Sequence, residues 1–555
     1  MTNKKTVAIM AALMLATGGA ALAQTSLTAP VERTSLAQDA FSTGVLRAGQ
    51  GAMDPDLWRG ADAETLEFLL EKAPSRPMTP SLGGVLRRTL LSAGAGPEGA
   101  PASLGGRKLL ALARAGFSEE VRNVASLSSA PANDPQVGQA LALADLLDGD
   151  TDAACRRNAG LSGGRDAPFW VKLRVLCYAA AGENDAADLT YGLLRDSGAL
   201  SEGDALFLRA LATGAAPKTP PAPENALHLA ALRQLQLPLL PSLLDVADAG
   251  VLKAIANDGS VDVQSRIAAA ARAASMGVVS GREMATLYRS VTVDVADIAR
   301  AADIAAERPG DPLTDVIVFQ SIEQMTAPEF LRDKSARIAK ALSIADSFPR
   351  AYATSLVYSD AISALDGALI PPSEAGRFAL ARMTVGDGKS AARWLYAMLG
   401  TGSIASMDDG SAMELIELTN LLAVLDPVAA AAVAESAGVS LDAPFVQTVS
   451  SDAVHADPDM MARIVEAAFD AAVDDIPGQA ALAALAVSNT APVSDRLSRV
   501  VIGQSLRAAG MEELRRRMDF EAVLRTRFDG DDTVMQTPEA TKEGALTPRV
   551  KPGKT

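Results

Sequence analysis

The sequence predicts an all-α protein, an α-solenoid of stacked helix hairpins, and three observations predict it. Apolar residues fill 48% of the 555 positions but aromatics only 4%, and alanine and leucine make up most of the difference. Both are strong helix formers, and small side chains let helices approach closely. Glycines recur at a fixed interval: Gly116, Gly149 and Gly182 stand 33 residues apart, and Gly214 follows after 32. Between them apolar residues return every three or four positions, and only DVIVFQSI at 315–322 reads like a strand, between helical flanks.

The chain opens MTNKKTVAIMAALMLATGGAALAQ. Lys4 and Lys5 precede an apolar run closed by Ala21-Leu22-Ala23, the order of a secretory signal, with cleavage expected between Ala23 and Gln24. Gly18 and Gly19 interrupt the run, and no later segment reaches the roughly 18 apolar residues of a spanning helix. Residues 1–23 are therefore expected to be a removable signal peptide. The mature chain is expected in the periplasm or outside the cell, without a membrane span. Losing the two lysines takes the formal charge from −16 to −18. Binding to a polyanion, nucleic acid included, needs a basic stripe, and here the basic residues are dispersed among acids.

Three segments align without gaps: LLALARAGFSEEVRNVASL from Leu109, ALADLLDGDTDAACRRNAG from Ala142 and VLCYAAAGENDAADLTYGL from Val175. In each, a helical run reaches the glycine, polar residues follow and a second helix begins. Glycine past a helix end can adopt the left-handed conformation that satisfies the last carbonyls, and Asn184 or Asp185 can accept from the next helix's amides. In the third copy Phe169, Leu173, Leu176 and Ala180 define one apolar face, and Ala186, Leu189 and Leu193 another. Each hairpin is expected to complete its core by stacking on its neighbours.

This third copy resembles the tetratricopeptide repeat. Tyr178 lies four before the turn glycine, Ala187 five after it and Tyr191 four further on, like that family's aromatic, small and aromatic positions. Trp170 is one residue from the family's early tryptophan, and Arg174 stands where leucine is usual. The resemblance covers about residues 104–214 and implies a right-handed superhelix of helix pairs with a groove. It carries over no peptide-binding residue, because the groove positions do not match.

Repeats are thus expected over 102–213. Pro217, Pro220, Pro221 and Pro223 then forbid a helix, so 214–224 is expected to be a linker. Helical patterns resume over 225–528 as a more irregular array. Residues 24–101, rich in Gly, Pro, Ser and Thr, are expected to be poorly ordered, with short helices near 64–72 and 84–91. Residues 529–555 are expected to be a disordered tail. Cys155 falls in the second helix of one repeat and Cys177 in the first helix of the next. Those helices are neighbours in a stack, so in an oxidising compartment a disulfide clamping two repeats is expected.

Five features have simpler readings than chemistry. GLSGG at 160–164 fits G-x-S-x-G, but no apolar strand leads to Ser162, so a loop is expected. GDGKS at 386–390 has Met383 where a phosphate loop needs its first glycine, and reads as a turn opening a helix. His228 rides on a leucine-rich helix, where a buried imidazole is usual. His455 with Asp457 and Asp459 offers a metal one imidazole and loop carboxylates, a weak constellation. AESAG, with Glu435 and Ser436, resembles the catalytic-glutamate segment of lytic transglycosylases, but the companion G-L-M-Q run is missing.

No catalytic, cofactor-binding or metal-ligating residue is therefore assigned, and no cofactor is expected. The expected function is an exported, non-catalytic helical-repeat scaffold mediating protein–protein interaction in a bacterial envelope. Two alternatives stand beside it: a peptidoglycan hydrolase of the lytic-transglycosylase kind whose helices ring a cleft, and a self-associating structural envelope protein.

Overall fold

The computed structural model describes residues 39–129, 134–400, 402–441, 457–490 and 496–528. The expectations for residues 1–38, for cleavage at Ala23 and Gln24, for His455 and for 529–555 fall outside these residues. The described residues hold 26 α-helices and no strand. First come α1 (Ala63–Glu71) and α2 (Pro80–Leu91). Three hairpins follow: α3 (Ser103–Arg114) with α4 (Ser118–Leu127), α5 (Pro135–Leu147) with α6 (Thr151–Gly160), and α7 (Pro168–Ala180) with α8 (Asn184–Asp196). Then come α9 (Glu202–Thr213), α10 (Ala226–Gln234), α11 (Ala249–Asn257), α12 (Val263–Ser275) and α13 (Gly281–Ser290). The middle is α14 (Val295–Ala299), α15 (Ala301–Glu307), α16 (Pro312–Glu323), α17 (Leu331–Ser343) and α18 (Phe348–Ser363). Last are α19 (Pro372–Thr384), α20 (Gly388–Leu399), α21 (Asp409–Leu425), α22 (Pro427–Ala437), α23 (Pro458–Val473), α24 (Pro477–Thr490), α25 (Arg496–Ala508) and α26 (Glu512–Phe528).

Short sequence signals set the helix boundaries. A threonine or aspartate followed by proline opens five of them: Thr79 before α2, Asp134 before α5, Asp311 before α16, Asp426 before α22 and Asp457 before α23. Proline loses nothing at a position whose amide has no helical partner, and the preceding side chain accepts from the amides that follow.

The helix ends are as regular. Gly116 has φ +90°; its amide donates to Ala113 O at 3.1 Å and the next amide, of Phe117, to Leu112 O at 3.0 Å. The same pair of bonds closes α5, from Gly149 to Leu146 O at 3.1 Å and Asp150 to Asp145 O at 2.9 Å. It closes α7 from Gly182 to Ala179 O at 3.1 Å and Glu183 to Tyr178 O at 2.8 Å. The three glycines are equivalent bends, each satisfying two carbonyls that a helix end leaves open. The same cap recurs after residue 225 at Gly277, Gly386, Gly438 and Gly510, and without glycine at Gln236, φ +51°.

Stacking buries the hairpins' inner faces, with two corrections: Ala180, expected on the buried face of α7, is exposed, and α8 is rotated. Leu173 and Leu176 of α7 are fully buried, but Leu189 and Leu193 of α8 are 69% and 64% exposed. The buried face of α8 runs instead through Ala187 and Leu194. Its rotation follows from packing between α7 and α9, so these two contacts, and not the larger leucines, decide which side turns inward.

Three further expectations change. Residues 39–101 are packed: Phe41, Leu57 and Trp58 are at most 2% exposed, and the rings of Phe41 and Trp58 lie 5.0 Å apart. Glycine there allows close approach, since a Cβ on Gly44 would come 2.1 Å from Ala93 N and one on Gly94 2.2 Å from Leu57. The run 214–224 lacks a helix, as its prolines require, yet α9 and α10 pack on each other and α10 packs on α5 and α7. It bridges helices of one body. The strand-like 315–322 is helical, within α16, where Val316, Ile317, Val318, Phe319 and Ile322 are at most 4% exposed. A helix enclosed on all sides is apolar all round, so its period disappears from the sequence.

The array also closes. α1 packs on α24, and α2 on both α24 and α26. Gly478 N, in α24, donates to Leu57 O at 2.8 Å, and a Cβ there would lie 2.5 Å from the Trp58 ring. The stacked hairpins fit a solenoid whose first and last helices meet. Among the described residues no helix is long and apolar enough to cross a membrane.

Candidate functional site

The closed array carries a chamber of about 1300 Å3, the central chamber, which is partly open to solvent. Its wall takes residues from α2, α4, α11, α13, α18 and α26, together with the turns at Gly116, Gly149 and Gly277. These glycines present backbone, so the chamber reaches the helix ends themselves. Gly116 does more than cap: a Cβ on it would meet Gly250 Cα at 3.1 Å, so it also lets α11 approach the α3–α4 turn. Gly182, the third repeat turn, does not line the chamber and has open space around it.

The chamber's charges balance, although the chain as a whole is at −16. Arg87, Arg122, Arg233, Lys253 and Arg517 face Glu119, Glu120, Asp148, Asp258 and Glu283. Most are paired within the wall. Arg122 meets Asp148 at 2.6 Å, Arg233 meets Asp258 at 2.9 Å and Lys253 meets Glu283 at 3.2 Å. Arg233 also donates to Leu146 O at 3.0 Å, the last turn of α5. Arg517 donates to Tyr352 Oη at 2.8 Å and to Glu521 at 3.1 Å; burial pushes the Tyr352 phenol above its usual range. Among the described residues Arg87, Glu119 and Glu120 form no ion pair, and these three remain to meet a ligand.

The sequence-marked residues lie mostly elsewhere. Cys155 and Cys177, on the adjacent helices α6 and α7, hold their sulfurs at 2.01 Å, disulfide-bonding distance. Ser162 is exposed in the coil between those helices, and Glu435 is exposed on α22; neither lines a described cavity. Asp387 and Ser390 of GDGKS cap α20, Asp387 accepting from Ser390 N at 3.0 Å. His228 is 1% exposed, stacked on Phe207 at 4.8 Å, with Nε2 3.2 Å from Asp204. Burial raises the Asp204 pKa, but His228, Lys172 and Ser201 outweigh it and hold the carboxyl well below the usual range. Among the described residues no cluster of His, Cys, Asp or Glu is arranged to hold a metal.

Sequence reading missed the chamber itself. Arg87 and Arg517 stand 430 positions apart, and nothing local in either segment marks them as neighbours. No protein-family model, curated protein or solved structure matches the chain.

Proposed function

We propose that the chain is an exported, non-catalytic scaffold that binds protein partners in a bacterial envelope, and that it does so through the central chamber. The chamber carries the reading. At about 1300 Å3 it exceeds the roughly 300–1,000 Å3 of small-molecule sites. It offers unpaired charges of both signs, from Arg87 on α2 and from Glu119 and Glu120 on α4. A polar, extended peptide segment fits such a space, with side chains meeting those charges and backbone meeting the glycine turns. The signal-like start and a cysteine pair at bonding distance support export to an oxidising compartment. The likeness of 104–214 to the tetratricopeptide repeat points the same way.

A photoreactive residue placed in living cells tests this. At Glu119 or Asn257, both lining the chamber, it is expected to crosslink a discrete partner, and Arg87→Glu is expected to abolish the product. Crosslinks only from Leu189 on the outer face move the binding surface off the chamber. No product from any of the three positions rejects the scaffold reading.

A further inference from the structure

Leu147 and Gly250 line the central chamber and also a second cavity, of about 420 Å3. Two charged groups there, Arg114 and Asp248, lack an opposite charge in contact. The other charges are matched: Lys172 Nζ donates to Asp204 at 2.7 Å, and Glu71 accepts from Lys72 at 3.0 Å and Arg107 at 3.5 Å. Arg114 ends α3 and makes no ion pair.

The backbone sets these two groups opposite each other. A Cβ on Gly250 would come 3.1 Å from Ala113 O and Arg114 O, so glycine lets the start of α11 abut the end of α3. Asp248, just before α11, is held on both sides: its amide donates to Glu224 O at 2.7 Å and the amide of Ala249 to Ser75 O at 3.0 Å. Each group acts on the other electrostatically, yet no ion pair joins them; the Asp248 carboxylate also accepts from the Ser75 side chain and feels Arg76, and Arg114 feels Glu71. Burial lowers the Arg114 pKa and raises that of Asp248 to about 6, the sign that neither charge is fully compensated. Phe169 gives the cavity an apolar wall, and Gln139 and Asn489 bring neutral amides.

We propose that this cavity binds a small zwitterion of the amino-acid class, its carboxylate on Arg114, its ammonium on Asp248 and its side chain toward Phe169. An anion alone would sit beside the Asp248 carboxylate, and a cation alone beside the Arg114 guanidinium. A ligand carrying both charges a few bonds apart answers both. The volume lies in the range of small-molecule sites, and the inference does not depend on what enters the central chamber.

Calorimetric titration of the full-length, oxidised protein tests it, with glycine, L-alanine, L-leucine and L-phenylalanine as probes and the N-acetyl and carboxamide forms of each as controls. At least one free amino acid is expected to bind saturably at one site, with both blocked forms at least tenfold weaker. Arg114→Gln and Asp248→Asn are each expected to weaken binding at least tenfold while circular dichroism stays unchanged. Arg114 has no ion pair in contact to lose, feeling Asp248 and Glu71 only at longer range, so its variant tests the site even if the aspartate variant misfolds. Lack of saturable binding by all four amino acids overturns the proposal. So does equal binding of the blocked forms, or wild-type affinity in a folded Arg114→Gln protein.

Discussion

Ser81 donates twice to Glu521, from its amide at 3.1 Å and its hydroxyl at 2.9 Å, across 440 residues of sequence. The pair joins α2 to α26 and closes the array. Burial raises the Glu521 pKa, with Arg517, Ser81 and Thr79 partly offsetting it, so the carboxylate depends on these donors. Ser81→Ala removes one of them and is expected to cost about 1 kcal/mol. Glu521→Ala strands buried donors and one partner of Arg517, and is expected to cost about 3 kcal/mol. Urea denaturation followed by far-UV circular dichroism reads both, and equal, negligible losses would show the seam to be unimportant.

Lys108 makes stability depend on pH. Its ammonium is fully buried and donates to Phe41 O and Thr43 O, each at 2.7 Å, and burial lowers its pKa from 10.5 to about 7. Between those values the folded chain has released a proton that the unfolded chain still holds, so stability rises with pH across the window. The cost is present in full below pH 7. The unfolding free energy should climb between pH 7 and 9, by an amount on the order of a few kcal/mol, and Lys108→Met should flatten that slope. A slope unchanged in the variant would assign it to other groups.

The equivalent turns are expected to respond unequally to one substitution. Gly182, φ +75°, has nothing within 4 Å of an added Cβ, whereas at Gly116, φ +90°, that atom would meet Gly250 at 3.1 Å. Gly182→Ala therefore carries only the left-handed strain, about 1–2 kcal/mol. Gly116→Ala adds a backbone clash and should lose distinctly more. Similar melting temperatures for the two variants would contradict the close approach of α11.

The disulfide closes a span of 22 residues, for which chain entropy gives a stabilisation of about 3 kcal/mol. The Cys155→Ser/Cys177→Ser double variant should lose that much in urea. Thiol titration of the denatured, unreduced protein should find no free cysteine; two thiols would dismiss the clamp.

The helices and their turns were legible because their causes are local. Gly116, Gly149 and Gly182 advertise their conformation by having no side chain, and proline after a threonine or aspartate marks a helix start wherever it occurs. Gln236 takes the same cap without a glycine to signal it. Packing was less legible: Gly44 and Gly94 read as loose chain, although the missing side chains are what lets the neighbouring segments touch. The candidate sites could not be read at all. Arg114 and Asp248 come to one cavity only because α11 packs on α3, and Arg87 shares a wall with Arg517 only because the array closes, through contacts such as Ser81 with Glu521 that no short window contains.

Closure is what creates the chamber, and a distance between the first and last helices measures it most directly. Gly84 of α2 lies against Leu514 of α26, where an added Cβ would sit 3.6 Å from the leucine. Spin labels at Arg87→Cys and Glu513→Cys, with the native cysteines left paired, report on that seam by pulsed electron paramagnetic resonance. Packed helices have axes about 8–10 Å apart, so one short, narrow distance distribution is predicted. A broad distribution at separations of several helix diameters would mean an open superhelix without a chamber, and would contradict the account.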